Sequence, residues 1–151
     1  MRRRNGFTLV ETLIVVVLLG LMGLIAFPKM SAAMVRSDLR SARTTMVNLM
    51  AAARAASVQS NRLTWIEVEG NKAYVLASPR LAGPADGVAD TVGAVRDFTA
   101  LYGVTLTDAT GDIQFDPRGF GVGFGTVDSI VLARSGYSST ITIDGLGRVL
   151  K

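Results

Sequence analysis

The sequence predicts an α+β chain. It has a long N-terminal helix, apolar in its first half and amphipathic in its second, packed on a C-terminal antiparallel β-sheet domain. Three observations carry this. An uninterrupted apolar run extends from Leu13 to Phe27. An apolar stripe then recurs at alternating spacings of four and three, through Val35, Leu39, Ala42, Met46, Leu49, Ala53 and Ala56. Beyond residue 61 come short β-rich stretches punctuated by Gly, Asn and Pro. The 151 residues suit one modest domain plus an extra segment, and the mean hydropathy of +0.37 points to a membrane-seeking stretch.

That stretch lies near the start. As a helix, the segment from Phe7 to Phe27 spans about 31 Å at ~1.5 Å per residue, close to the hydrocarbon thickness of a bilayer. Arg2, Arg3 and Arg4 precede it and hold that end in the cytoplasm, leaving the rest of the chain outside. A secretory signal peptide would have a shorter apolar region and a small-x-small site, for which only Ser31-Ala32-Ala33 offers itself. A plain signal anchor is the other simple reading. Neither accounts for Glu11. A charge at the centre of a membrane helix costs about 2.5–3.5 kcal/mol, less near an end, so an intramembrane carboxylate calls for a partner.

Pro28 interrupts what otherwise reads as one helix, and predicts either a kink or a simple membrane exit. Arg36, Arg40 and Arg43 lie off the apolar stripe and read as a solvated face, with nucleic acid or acidic subunits as the alternative partners. The helix is expected to end within Ser57–Asn61. Leu63–Glu69 and Lys72–Ala77 flank a Gly70-Asn71 hairpin turn. Residues 78–95 read as a loop. Further strands are expected at Val104–Leu106, Asp112–Asp116, Ser129–Ala133, Thr140–Ile143 and Arg148–Leu150, with turns at Pro117–Gly125 and Gly136.

Catalytic chemistry finds no support. The chain has no histidine and no cysteine, which removes the commonest general base and metal ligand as well as disulfides and thiol chemistry. No cofactor and no metal is expected: Asp108–Asp112 lacks the ligand spacing of a calcium loop. Gly119, Gly121, Gly123 and Gly125 form no phosphate loop, and read as a flexible or tightly packed turn.

Gly6-Phe7-Thr8-Leu9-Val10-Glu11, preceded by three arginines and followed by the apolar run, resembles the processing motif of type IV prepilins and type II secretion pseudopilins. The resemblance implies cleavage of the Gly6/Phe7 bond by a prepilin peptidase and methylation of the new Phe7 amine. It also implies pairing of Glu11 with the N-terminal amine of a neighbouring subunit, and a bend at Pro28. A new α-amino group has a pKa of about 7.7–8.0 and is mostly cationic at neutral pH, so such a pair favours correct axial register between helices. The implied organisation is a leader over 1–6, a transmembrane and assembly helix over 7–28, its amphipathic continuation over 29–61 and a β-rich domain over 62–151. Loss of residues 1–6 leaves thirteen Lys and Arg against twelve Asp and Glu, so the mature subunit is nearly neutral.

The C-terminal third is similar to the GspH/FimT group of minor pilins, through Ile113-Gln114-Phe115-Asp116-Pro117-Arg118-Gly119, Ile130-Val131-Leu132 and the run from Ile141 to Val149. That likeness implies two packed sheets against the helix and a minor subunit near the tip of a pilus or pseudopilus. It implies residence in a bacterial inner membrane, N-terminus cytoplasmic and globular domain periplasmic, and then in the filament. Some members take up DNA through an arginine-bearing tail, which makes Arg148 and Lys151 candidate DNA contacts. Here Leu150 stands where that tail has its second arginine, and a terminal β-strand is the simpler role for Arg148 and Val149.

The processing expectation is directly testable. Mass spectrometry of the membrane-extracted protein should find a mature chain beginning at methylated Phe7, and Gly6→Ala should leave the precursor uncut. A mature N-terminus elsewhere refutes the assignment.

Overall fold

The computed structural model describes residues 7–79, 89–108, 113–122 and 128–150. Helix α1 spans Leu9–Ser60. It runs through Pro28 without a break in the helical backbone. The chain forms two compact units, Met1–Val35 and Arg36–Lys151, and α1 contributes to both. In the first unit the side chains of α1 are exposed over nearly their whole length, although they are apolar from Leu13 to Phe27.

In the second unit α1 carries the core. Leu39, Ala42, Met46, Leu49 and Ala53 are buried, as the periodicity predicts. Val35, at the end of the first unit, is buried too. At the last stripe position the prediction slips by one residue. Ala56 is only half-buried, and the fully buried residue is Ser57, whose Oγ donates to the Arg54 carbonyl at 2.8 Å. A serine can take this place because its hydroxyl is satisfied within the helix. The helix stops at Asn61, which adopts φ +53, a left-handed conformation that asparagine tolerates better than most residues.

Eight strands follow: β1 Thr64–Glu69, β2 Lys72–Ala77, β3 Asp90–Asp97, β4 Thr105–Asp108, β5 Ile113–Phe115, β6 Asp128–Arg134, β7 Tyr137–Ile143 and β8 Val149–Leu150. They form two four-stranded antiparallel sheets, ordered β3-β2-β1-β5 and β4-β6-β7-β8. The inward faces supply Ile66, Val75 and Phe115 from one sheet, and Leu106, Leu132 and the cross-strand pair Ile130–Ile141 from the other. Alternation makes this possible, since every second residue of a strand faces the same side.

The Gly70-Asn71 hairpin forms as predicted, with Gly70 at φ +59. Asn71 also joins other elements. Its carbonyl accepts from Phe98 N at 2.9 Å and its side-chain oxygen from Leu106 N at 3.0 Å. Thr64, fully buried, donates to the Ala53 carbonyl at 2.9 Å and fixes β1 to α1.

Two expectations need correction. The predicted loop over 78–95 contains most of β3, an edge strand whose ladder with β2 shifts register between Ala73 and Val75, opposite Gly93 at φ +83. Gly93 and the short, polar-flanked apolar pairs around it hide the strand's alternation. A short helix α2, Phe98–Tyr102, was not predicted. Asp97 caps it by accepting from Ala100 N at 2.9 Å, and Gly103 closes it at φ +62. Residues 80–88, Asp112 and Gly123–Gly125 lie outside the described residues.

Met46 is fully buried where α1 meets the sheets. Met46→Ala should therefore lower unfolding free energy by about 2–4 kcal/mol. Arg40→Ala, on an exposed side chain, should change it by less than about 0.5 kcal/mol. Urea unfolding of the full chain in detergent micelles checks both.

Candidate functional site

The N-terminal site is built on the first turn of α1. Thr8 caps the helix, its Oγ1 accepting from Glu11 N at 3.3 Å. The spacing Thr-x-x-Glu, legible in the sequence, is that of a capping box. An acidic residue in the first turn also suits the positive end of the helix dipole. Thr12 Oγ1 donates back to the Leu9 carbonyl at 2.8 Å. Both threonine hydroxyls of this apolar segment thus have partners within the turn. The Glu11 carboxylate is exposed and has no partner among the described residues. Phe7 is 78% exposed. Gly6 and the rest of the leader lie outside the described residues, and Pro28 is a backbone member of the continuous helix.

The second candidate, the C-terminal arginine, belongs to a different construction. Two loops, Asp116-Pro117-Arg118-Gly119-Phe120 and Asp144-Gly145-Leu146-Gly147-Arg148, adopt the same conformation. In each, the Asp Oδ1 accepts from backbone N–H groups two and four residues on, at 2.9 and 2.8 Å in the first and 3.1 and 2.8 Å in the second. In each, a glycine with positive φ, +82 or +75, sends its N–H to the Asp carbonyl, and the Asp N–H bonds the carbonyl of the fifth residue.

Arg54 of α1 joins the pair. Its Nε donates to the Gly119 carbonyl at 2.5 Å and its second amino group to the Leu146 carbonyl at 2.8 Å. Its guanidinium lies 5.8 Å from the Phe115 ring centroid. A Cβ at Gly121 would stand 2.7 Å from Gly147 N, and one at Gly147 would stand 2.7 Å from the Phe115 ring. The alternating glycines are therefore a tightly packed turn over their described part.

Arg148 is held in this frame. Its Nε and a terminal nitrogen each lie 2.8 Å from Asp144 Oδ2. The donors around Asp144, the Arg148 N–H foremost, hold its carboxyl below the usual carboxylate range. Lys151 lies outside the described residues. Of the helix arginines, Arg40 is exposed. Arg36 stacks over Tyr137 at 5.3 Å, and Arg43 donates to the Thr140 carbonyl at 3.3 Å. Arg36 and Arg40 are exposed, as a solvated face requires, and Arg43 is half-buried. Among the described residues no cluster of acidic side chains could hold a metal ion.

An apolar helix opened by a capped, acid-bearing turn, followed by a two-sheet domain clasped to the same helix, defines the class of pilin-like subunits. Residues 1–27 match the prokaryotic N-terminal methylation motif. Residues 37–147 match the family described as Type II transport protein GspH, and the chain belongs to that family. Subunits of this class serve type IV pili or type II secretion pseudopili as structural components. Two crystal structures of the type IV minor pilin FimU from Pseudomonas aeruginosa PAO1 share the fold. The P21 form is 17% identical, with TM-score 0.56, covering 76% of this chain and 88% of FimU. The P65 form is 16% identical, with TM-score 0.53, covering 74% and 90%. No curated protein matches the sequence.

The Asp144 frame makes a pH prediction. Because the folded-state pKa is depressed, the stabilisation is present above the unfolded carboxylate pKa of about 3.9 and is lost as pH falls through the folded value. Between about pH 5 and pH 2 the melting temperature of the wild type should fall more steeply than that of Asp144→Asn. Parallel profiles would refute the role of the carboxylate.

Proposed function

We propose that this chain is a minor subunit of a type IV pilus or type II secretion pseudopilus, assembled near its tip. It is made as a prepilin and cut between Gly6 and Phe7 by a prepilin peptidase. The protein waits in the inner membrane as a single span, N-terminus cytoplasmic and β-rich domain outside, before joining other pilin or pseudopilin subunits. Pro28 provides the place where α1 bends on assembly.

The observation that carries this reading is the Glu11 carboxylate, without a partner among the described residues, at the head of an apolar helix whose threonine hydroxyls are both satisfied. The helix dipole suits an acid at this place but gives its carboxylate no counter-charge, whereas a neighbour's cationic Phe7 amine pairs with it at low dielectric. An enzymatic role has no catalytic constellation in its favour. The DNA-binding reading through Arg148 and Lys151 is weakened because Asp144 already neutralises Arg148. With so few cations in that tail, phosphate contacts would be weak and strongly salt-dependent.

Glu11→Val should insert in the membrane at wild-type levels or better and be processed at Phe7, yet its incorporation into sheared filaments should fall at least tenfold. Wild-type incorporation, read by immunoblot of filament and membrane fractions, would remove the proposed role.

A further inference from the structure

A groove of about 410 Å³ lies between α1, β3 and α2, on the domain formed by Arg36–Lys151. Its floor is apolar, made by Leu49 and Val75, and its outer wall includes Leu101, which is 55% exposed. The rest of the lining is largely polar, from Thr45, Asn48, Arg96 and Tyr102. Thr45 Oγ1 and Tyr102 OH share a hydrogen bond of 2.7 Å, and the Asn48 amide is exposed. Arg96 is the only charged residue in the lining, and it has no partner among the described residues. The nearest acid in sequence, Asp97, is engaged in capping α2.

The groove also runs along a strand edge. Val92, Ala94 and Arg96, alternate residues of β3, line it with Gly93 between them, and β3 is the last strand of its sheet. An edge strand leaves backbone N–H and C=O groups unpaired on its outer side. At Gly93 nothing lies within 4 Å of an added Cβ, so the chain there is open to an approaching backbone.

We propose that this groove docks an extended segment of a partner protein in which apolar residues flank an acidic one. The apolar side chains fill the floor against Leu49 and Val75. The acid meets Arg96, whose planar guanidinium favours a bidentate carboxylate. The segment's backbone adds to the outer edge of β3, which pairs with no other strand among the described residues. A basic segment is excluded by repulsion from Arg96, and a neutral one leaves that cation without a counter-charge. This inference uses neither the leader nor Glu11, so it stands or falls independently of the N-terminal reading.

The test uses the full chain in a non-ionic detergent, isotope-labelled at Leu and Val methyls and arginine side chains. Three capped peptides serve as probes: Val-Leu-Glu-Leu-Val and its versions with central Gln or Lys. The Glu peptide should shift the Leu101 methyls and the Arg96 Nε–H and bind about tenfold more tightly than the Gln peptide. The Lys peptide should not bind. Arg96→Gln should reduce the Glu peptide to the affinity of the Gln peptide, with unshifted Ile130 and Leu132 backbone amides verifying the fold. Equal affinities for the three peptides would overturn the proposal, as would shifts mapping away from the groove. So would a groove that responds only to phosphatidylglycerol nanodiscs, or one already filled by self-association of the peptide-free chain.

Discussion

One helix must satisfy two media, and the rest of the chain is organised around that constraint. From Leu13 to Phe27 α1 is apolar on every side, a composition that belongs in hydrocarbon. From Leu39 to Ala53 it narrows to one apolar stripe, the pattern of a helix that backs a core. The same helix therefore links membrane chemistry to a folded domain. Any polar group in its first part is a liability unless something answers it. Thr8 and Thr12 are answered within the turn by backbone groups. Glu11 is the exception, and that gives the segment its specific meaning.

In the domain, the helix has a second demand to meet: it must grip two sheets that share little backbone. Thr64 fixes the first sheet to it, and Arg54 reaches the turns that follow β5 and β7. The guanidinium suits this task because its donors lie in a fixed fork and can meet two carbonyls of two loops at once. The loops can present those carbonyls because each is held rigid by its own aspartate. Two copies of one short turn, 116–120 and 144–148, thus brace the ends of both sheets against one helix side chain. Bonds to a charged donor are stronger than neutral ones, which favours this arrangement over two unlinked surface turns.

Much of this was legible in the sequence. The stripe from Leu39 to Ala53, the Gly70-Asn71 and Gly136 turns and the strands around Ile130 and Ile141 follow from period and turn chemistry alone. Ser57 escaped because a buried hydroxyl is indistinguishable by type from a surface one until its acceptor is known. β3 escaped because Gly93 breaks its alternation, and α2 because five residues are too few to show a period. Its flanking Asp97 and Gly103 were nevertheless readable as caps. The Arg54 clasp was hidden for a different reason. Its partners are backbone carbonyls more than sixty residues away, and carbonyls have no sequence signature. What could have been noticed is the repeated Asp-x-x-Gly at 116 and 144.

The central claim is that Glu11 answers a charge on another subunit. Zero-length cross-linking of assembled filaments with a membrane-permeant carbodiimide, read by peptide mass spectrometry, tests it most directly. The account predicts an amide between the Glu11 carboxyl and the α-amino group at the mature N-terminus of a neighbouring subunit, absent from unassembled protein. Glu11 modified by the reagent in filaments yet never joined to an α-amine would contradict it.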